Sequence, residues 1–350
     1  MRLALAAVLG GIILGPISVM ADTVAGWPAG ITPRVPLNFR VQPYARGLDG
    51  VRALLVLPNG DVLVAESRRG PARAVHRVTL LRDTAAAGVA DQSFVLTDDL
   101  EYPFGLGLRR DRLTVGAGES LWSCPYLVGQ ARLHGSCKLQ AALAGGEGAA
   151  LAWHPDEGHL VVATEPTPAG PGALYTAHAE AHSLQPVAGR LGAVAGVAFS
   201  SKGDLWTTLS DAAASGATPV GARAISVPDT PAAGRAELPL GAHGAPRALL
   251  FYGRTHFPLL HRGALFVATD ESVLVAPFAG GKPTGAVEEF MGGFASVDGA
   301  APYGRPTALA VGTDGALLVA DDTTIWRVTF KCAACTPDPV PARPARKPRS

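Results

Sequence analysis

The chain is poor in charge. Charged residues make up 17% of 350, with 30 Lys and Arg against 29 Asp and Glu, which leaves a net charge of +1. Such a balance gives no reason to expect nucleic acid or an anionic membrane surface as a partner and points to a small ligand. Cysteine is also scarce, at four residues. Cys124, Cys137, Cys332 and Cys335 suit an oxidising compartment and allow three pairings, of which Cys124 with Cys137 is the expected bridge. The segment Cys332-Ala-Ala-Cys335-Thr336 lacks the histidine that a haem-attachment sequence needs at its last position, so no haem is expected. A local disulfide or two free thiols account for that second pair.

What the chain does contain is apolar residues, at 48%, together with 42 Gly and 29 Pro. This composition favours a large core of short strands joined by tight turns over long helices. At the N-terminus Arg2 precedes an apolar run from Leu3 to Ile17, and Val19-Met20-Ala21 forms a small-x-small pattern. Residues 1–21 therefore read as a signal peptide cut after Ala21, with a periplasmic or secreted product; an uncleaved anchor is the competing reading. Residues 336–350, TPDPVPARPARKPRS, are Pro-rich and basic and are expected to be disordered.

Between these ends one unit recurs: an apolar strand, a turn with Asn, Asp or Gly, and a second strand that often ends in Ala and an acid. The six copies are RALLVLPNGDVLVAE from Arg52, FGLGLRRDRLTVGAG from Phe104, AALAWHPDEGHLVVATE from Ala149, AGVAFSSKGDLWTTLSD from Ala195, RALLFYGRTHFPLLHRGALFVATD from Arg247 and TALAVGTDGALLVAD from Thr307. Their starts lie about 45 to 60 residues apart, near the period of a four-stranded propeller blade. The dipeptides Asn59-Gly60, Lys202-Gly203 and Asp314-Gly315 suit hairpin turns. The spacing predicts an all-β, six-bladed β-propeller over residues 22–335, with segments such as Ala74 to Leu96 and Leu274 to Phe290 supplying the outer strands. A β-sandwich predicts no such repeat.

In a propeller the first strand of each blade runs beside the central channel, so residues at its start are where a ligand sits. In register these are Arg52, Phe104, Ala149, Ala195, Arg247 and Thr307. Two places earlier, facing the same way by the period of an extended chain, stand Gly50, Tyr102, Glu147, Ala193, Ala245 and Arg305. One channel mouth is then expected to hold three arginines, a glutamate, a tyrosine and a phenylalanine, which suits a planar anion. The alternative is that the arginines tie neighbouring blades together through backbone carbonyls.

The segments AESRRG (Ala65 to Gly70), YPFGLGL (Tyr102 to Leu108), GAHGAP (Gly241 to Pro246), LFYGRTHFPLLHRGALFVA (Leu250 to Ala268) and GRPTALAVGTDGALLVADDTTIWRVT (Gly304 to Thr329) resemble the soluble glucose/sorbosone dehydrogenases. That resemblance implies a six-bladed periplasmic propeller that oxidises a sugar with pyrroloquinoline quinone (PQQ), usually with calcium. It also implies a sugar substrate and a soluble electron acceptor. By the same resemblance Arg305, in the Gly-Arg-Pro segment, and His243, in the His-x-Ala-Pro segment, are carried over as cofactor contacts. Arg52, Arg247 and Tyr102 join them from the channel register. The family's general base, a histidine opening the third blade, is missing: that stretch reads Gly145-Gly146-Glu147-Gly148-Ala149, leaving Glu147 as the candidate base. Neighbouring positive charge would lower its pKa and weaken it in that role. The following segment, Thr164 to Gly170, lacks the family's cofactor-binding Arg and Asn.

Other polar residues read as structural. His154 and His159 flank the third blade's turn as solvated residues, His256 and His261 sit at the surface of a hairpin extension, and Glu66, Asp270, Asp321 and Asp322 cap strand ends, with calcium binding as their alternative role. Three functions follow: a PQQ-dependent sugar dehydrogenase, a catalytically silent propeller that binds a small sugar or anion, and, with the least support, a calcium-dependent lactonase.

Overall fold

The structure, a computed structural model, describes residues 26–68, 75–143, 146–167, 170–178, 183–189, 191–210, 222–227, 237–296 and 301–331. Residues 1–21, expected to be a signal peptide, residues 336–350, expected to be disordered, and Cys332 and Cys335 lie outside the described residues. Among those described, six four-stranded antiparallel sheets succeed one another along the chain. Their innermost strands are Val51–Val56, Pro103–Arg109, Gly148–Trp153, Ala193–Phe199, Pro246–Phe251 and Ala308–Val311. These are the six blades expected from the repeat.

The sixth blade is closed by a strand that the repeat did not reveal. Its first three strands come from the end of the chain, and its outermost, Phe39–Arg46, comes from the beginning and pairs with Thr324–Phe330. Asp321, fully buried, reinforces this closure. It accepts the indole N–H of Trp27 at 2.7 Å and that of Trp326 at 2.8 Å, along with the backbone N–H groups of Thr323 and Thr324, each at 2.9 Å. Burial pushes this carboxyl above the usual carboxylate range, and those donors pull it back.

Six hydrophobic clusters occupy the six interfaces between adjacent blades. Strand alternation explains how one strand serves two of them. In the second strand of blade one, Leu63 and Ala65 pack toward blade two, whereas Val62 and Val64 pack toward blade six. In blade five, Leu265 and Val267 face blade four, and Phe266 and Ala268 face blade six. Strands buried on both faces read as unbroken apolar runs, which is how VLVA and LFVA appear in the sequence. Truncating a fully buried residue such as Leu63 to Ala is worth about 2–5 kcal/mol at such a site.

Two local expectations need correction or confirmation. Cys124 and Cys137 are joined by a disulfide, as expected. His261, by contrast, is not a surface residue: it ends a short 3-10 turn, Leu259–His261, and packs among Phe39, Phe257, Phe266 and Phe290, where burial pushes its pKa down. The turn carries it back onto the aromatic core, a path that hairpin spacing alone does not reveal.

Candidate functional site

A pocket of about 310 Å³ opens at the end of the channel where the innermost strands begin. Arg52, Ser67, Tyr102, Phe104, Gly118, Glu147, Gly148, Glu165 and Arg247 line it. Beyond it an apolar channel of about 300 Å³ runs between the innermost strands of the blades, with Arg52, Phe104 and Arg247 shared by both spaces.

The backbone explains why those side chains point into the opening. In five blades the pairing of the innermost strand with the second slips by one residue at its start, and the extra residue is Arg52, Phe104, Ala149, Ala195 or Arg247. A β-bulge leaves its residue out of the ladder and re-aims the side chain. The register positions taken from the sequence are thus the bulge positions. Blade three and blade four place only Ala149 and Ala195 there, so the two arginines of the pocket come from blades one and five.

Residues two places upstream obey no common rule: Ala193 already belongs to a strand, but Gly50 and Tyr102, with φ 71° and 52°, are left-handed rather than extended. Period-two alternation therefore does not carry across them. Tyr102 and Glu147 still reach the pocket, Tyr102 with its ring 4.2 Å from that of His76. Arg305 and His243 do not line it. The backbone N–H of Arg305 donates to the Asp322 carboxylate at 3.1 Å, and its charge pulls down a carboxyl that burial holds above the usual range. His243 lies in the loop before the blade-five strand, against Gly241.

Glu165 is the site residue that sequence reasoning missed. It closes the second strand of blade three, and that strand returns antiparallel to the channel mouth. Its Oε1 accepts a hydrogen bond from Arg52 Nη2 at 3.2 Å, with both side chains 40% exposed. The backbone N–H of Glu165 donates to the carbonyl of Glu147 at 2.8 Å, so the two glutamates leave adjacent strand ends. On the opposite side Arg247 Nε donates to Asp270 Oδ1 at 2.6 Å. The signal for Glu165 was the acid that ends five of the six copies of the repeat.

The pocket thus presents two guanidiniums and two carboxylates, with Tyr102 and Phe104 as aromatic surface. Arg52 and Arg247 each have a carboxylate partner. A quinone with three carboxylates needs an excess of cations, and the donor set here supplies none, so these residues do not fit PQQ. Calcium meets the same objection at the strand-closing acids. Glu66 is fully buried and accepts from Arg77 Nε and Nη2 at 2.8 Å, from Thr79 Oγ1 at 2.5 Å and from the Asp49 N–H at 2.8 Å. Glu66, Glu165, Asp270 and Asp321 are all engaged by N–H or O–H donors rather than grouped around a common point.

The chain is thereby defined as a six-bladed β-propeller with a polar pocket at one mouth of its channel. Its solved structural neighbours include propellers of the PQQ-dependent glucose dehydrogenase-like kind and a putative gluconolactonase. They include the PQQ domain of a pyranose dehydrogenase from Coprinopsis cinerea, with TM-score 0.68 at 15% identity over 87% of this chain and 98% of that one. A calcium structure of a family AA12 carbohydrate-active enzyme from Trichoderma reesei matches with TM-score 0.68 at 12% identity over 89% and 100% of the two chains. A Thermus thermophilus protein assigned as an oxidoreductase (glucose dehydrogenase) gives TM-score 0.58 at 19% identity over 83% and 99%. No protein-family model matches the chain, and no curated protein matches it by sequence. At these identities the likeness establishes the fold.

Proposed function

We propose that this protein binds a small neutral carbohydrate at the channel mouth. The observation that carries the reading is the matched charge of the pocket lining: the guanidiniums of Arg52 and Arg247 against the carboxylates of Glu147 and Glu165, with Tyr102 and Phe104 alongside. Carboxylates accept from sugar hydroxyls, guanidiniums donate to them, and aromatic faces cover the ring's C–H surface. A solvent-exposed ion pair contributes only about 0–1 kcal/mol, so Arg52 and Glu165 can trade each other for ligand hydroxyls at little cost. The pocket volume stands at the low end of the range for small-molecule sites, consistent with a monosaccharide. The N-terminal segment supports export, which would place the pocket among extracellular or periplasmic sugars.

A monosaccharide panel followed by calorimetry and thermal shift tests this reading. Saturable binding by a neutral sugar is expected, with affinity reduced by Arg52→Ala; a protein that binds no neutral sugar overturns it. A second reading, oxidation of the sugar, is favoured by Glu147 standing in the pocket and by the dehydrogenases that share the fold. There Glu147 would accept the proton of a bound hydroxyl while an added quinone acceptor took up the hydride; the carboxylate partners of Arg52 and Arg247 count against PQQ held in this pocket. Turnover with added quinone and calcium that collapses in Glu147→Gln would select it.

A further inference from the structure

At the far end of blade three, the turn joining Gly148–Trp153 to His159–Thr164 brings two imidazoles and a carboxylate together. The rings of His154 and His159 stack at 4.4 Å with 19° between their planes, and Phe199 stands edge-on to both, at 4.9 Å and 6.2 Å. Asp156 Oδ1 lies 2.7 Å from Nδ1 of His154 and 3.7 Å from Nδ1 of His159. The N–H of Gly158 donates to the same oxygen at 2.8 Å and fixes the carboxylate. Gly203 leaves the ring its space, since a Cβ there would come 2.6 Å from His154 Nε2.

One carboxylate oxygen facing two ring nitrogens at these distances calls for a positive centre. A proton shared with an imidazole is one such centre; a metal ion held by imidazole lone pairs and the carboxylate is another. Three ligands around a tetrahedral zinc, each about 2.0–2.2 Å from it, stand about 3.4 Å apart, a value that the observed 2.7 Å and 3.7 Å bracket. The rings now lie stacked and the Asp156 N–H donates to His154 Nδ1 at 3.2 Å, so an ion is held once the imidazoles at this exposed turn rotate to make their lone pairs converge.

We infer that His154, Asp156 and His159 form a binding site for a divalent first-row transition ion of the zinc type, separate from the channel-mouth pocket. Two imidazole nitrogens and one carboxylate are borderline donors that favour zinc, cobalt or nickel, whereas calcium requires six or more oxygens. The exposed side of Asp156 leaves a fourth position to water or another small ligand. His178, paired with His159 across the second and third strands, has its ring 6.3 Å from that of His159.

The test is titration of untagged, chelator-stripped protein with Zn²⁺ alone, followed by calorimetry, and with Co²⁺, followed by its visible d–d absorption. One ion per chain is expected, with no response to Ca²⁺. Asp156→Ala, at an exposed position where folding should be retained, is expected to weaken Zn²⁺ binding at least about tenfold, the lower end of what even an outer-shell partner is worth. His159→Ala should do the same and abolish the cobalt bands. Absence of stoichiometric Zn²⁺ binding in the unsubstituted protein, or binding unchanged in both variants, would overturn the assignment.

Discussion

Arg52 and Glu165 meet at 3.2 Å across the channel mouth, one from the bulged start of blade one and the other from the end of the second strand of blade three. The pair is half open to solvent, so its contribution to stability is small while its exposure to a ligand is large. Arg52→Ala and Glu165→Gln are each expected to weaken sugar binding about 10- to 100-fold, the worth of a hydrogen bond to a charged group. Unfolding free energy should change by less than about 1 kcal/mol in either variant. Calorimetry and urea unfolding on the same preparations separate the two effects. A large stability loss without loss of binding would make the pair a structural tie between blades.

Gly148 is tightly enclosed. A Cβ at that position would lie 1.9 Å from Cζ of Phe104, in the wall of the pocket. Gly148→Ala must therefore displace the Phe104 ring, at a cost of about 1–3 kcal/mol for overpacking. Sugar affinity is expected to fall with it. Gly129→Ala, where no atom lies within 4 Å but φ is 93°, isolates backbone strain from crowding.

The blades were legible because each innermost hairpin carries two apolar strands about a polar turn, so six copies could be superposed before any sheet was known. The bulge residues Arg52, Phe104 and Arg247 fell into register for the same reason. Closure by Phe39–Arg46 was not legible, since that strand belongs to no repeat and finds its partner almost 300 residues later in the chain. Arg305 and His243 were carried from alternation and motif likeness into a loop region where alternation fails. Glu165 was visible as the terminal acid of the third copy, but its meaning depends on the antiparallel return of the second strand.

Asp61 reports on the fold's acid stability. Its carboxylate is buried, which raises its pKa, but hydrogen bonds from Arg82 and Asn59 outweigh burial and hold it below the usual carboxylate range. A depressed folded-state pKa means stability that is present above the unfolded carboxylate value and lost as pH falls through the folded one. At neutral pH Asp61→Asn is expected to cost about 2 kcal/mol, below the figure for a fully buried pair because Arg82 is 24% exposed. The difference from the unsubstituted protein should shrink below pH ~4. Denaturant titrations at pH 7 and pH 3 check both the size and the sign.

The Cys124–Cys137 bridge closes a loop with a sequence separation of 13 around the outer strands of blade two, and Cys124 is fully buried. Replacing both cysteines by serine is expected to lower stability by about 3 kcal/mol on the chain-entropy account. Reductant should lower the melting temperature of the natural chain and leave the double variant unchanged.

The most direct test of the channel-mouth reading is a side-by-side calorimetric titration of the protein with a neutral monosaccharide panel and with PQQ in the presence of calcium. Matched charge in the pocket predicts saturable binding of a neutral sugar, lost in Arg52→Ala, and no stoichiometric binding of the tricarboxylate. Tight one-to-one binding of PQQ with no affinity for any neutral sugar would contradict it.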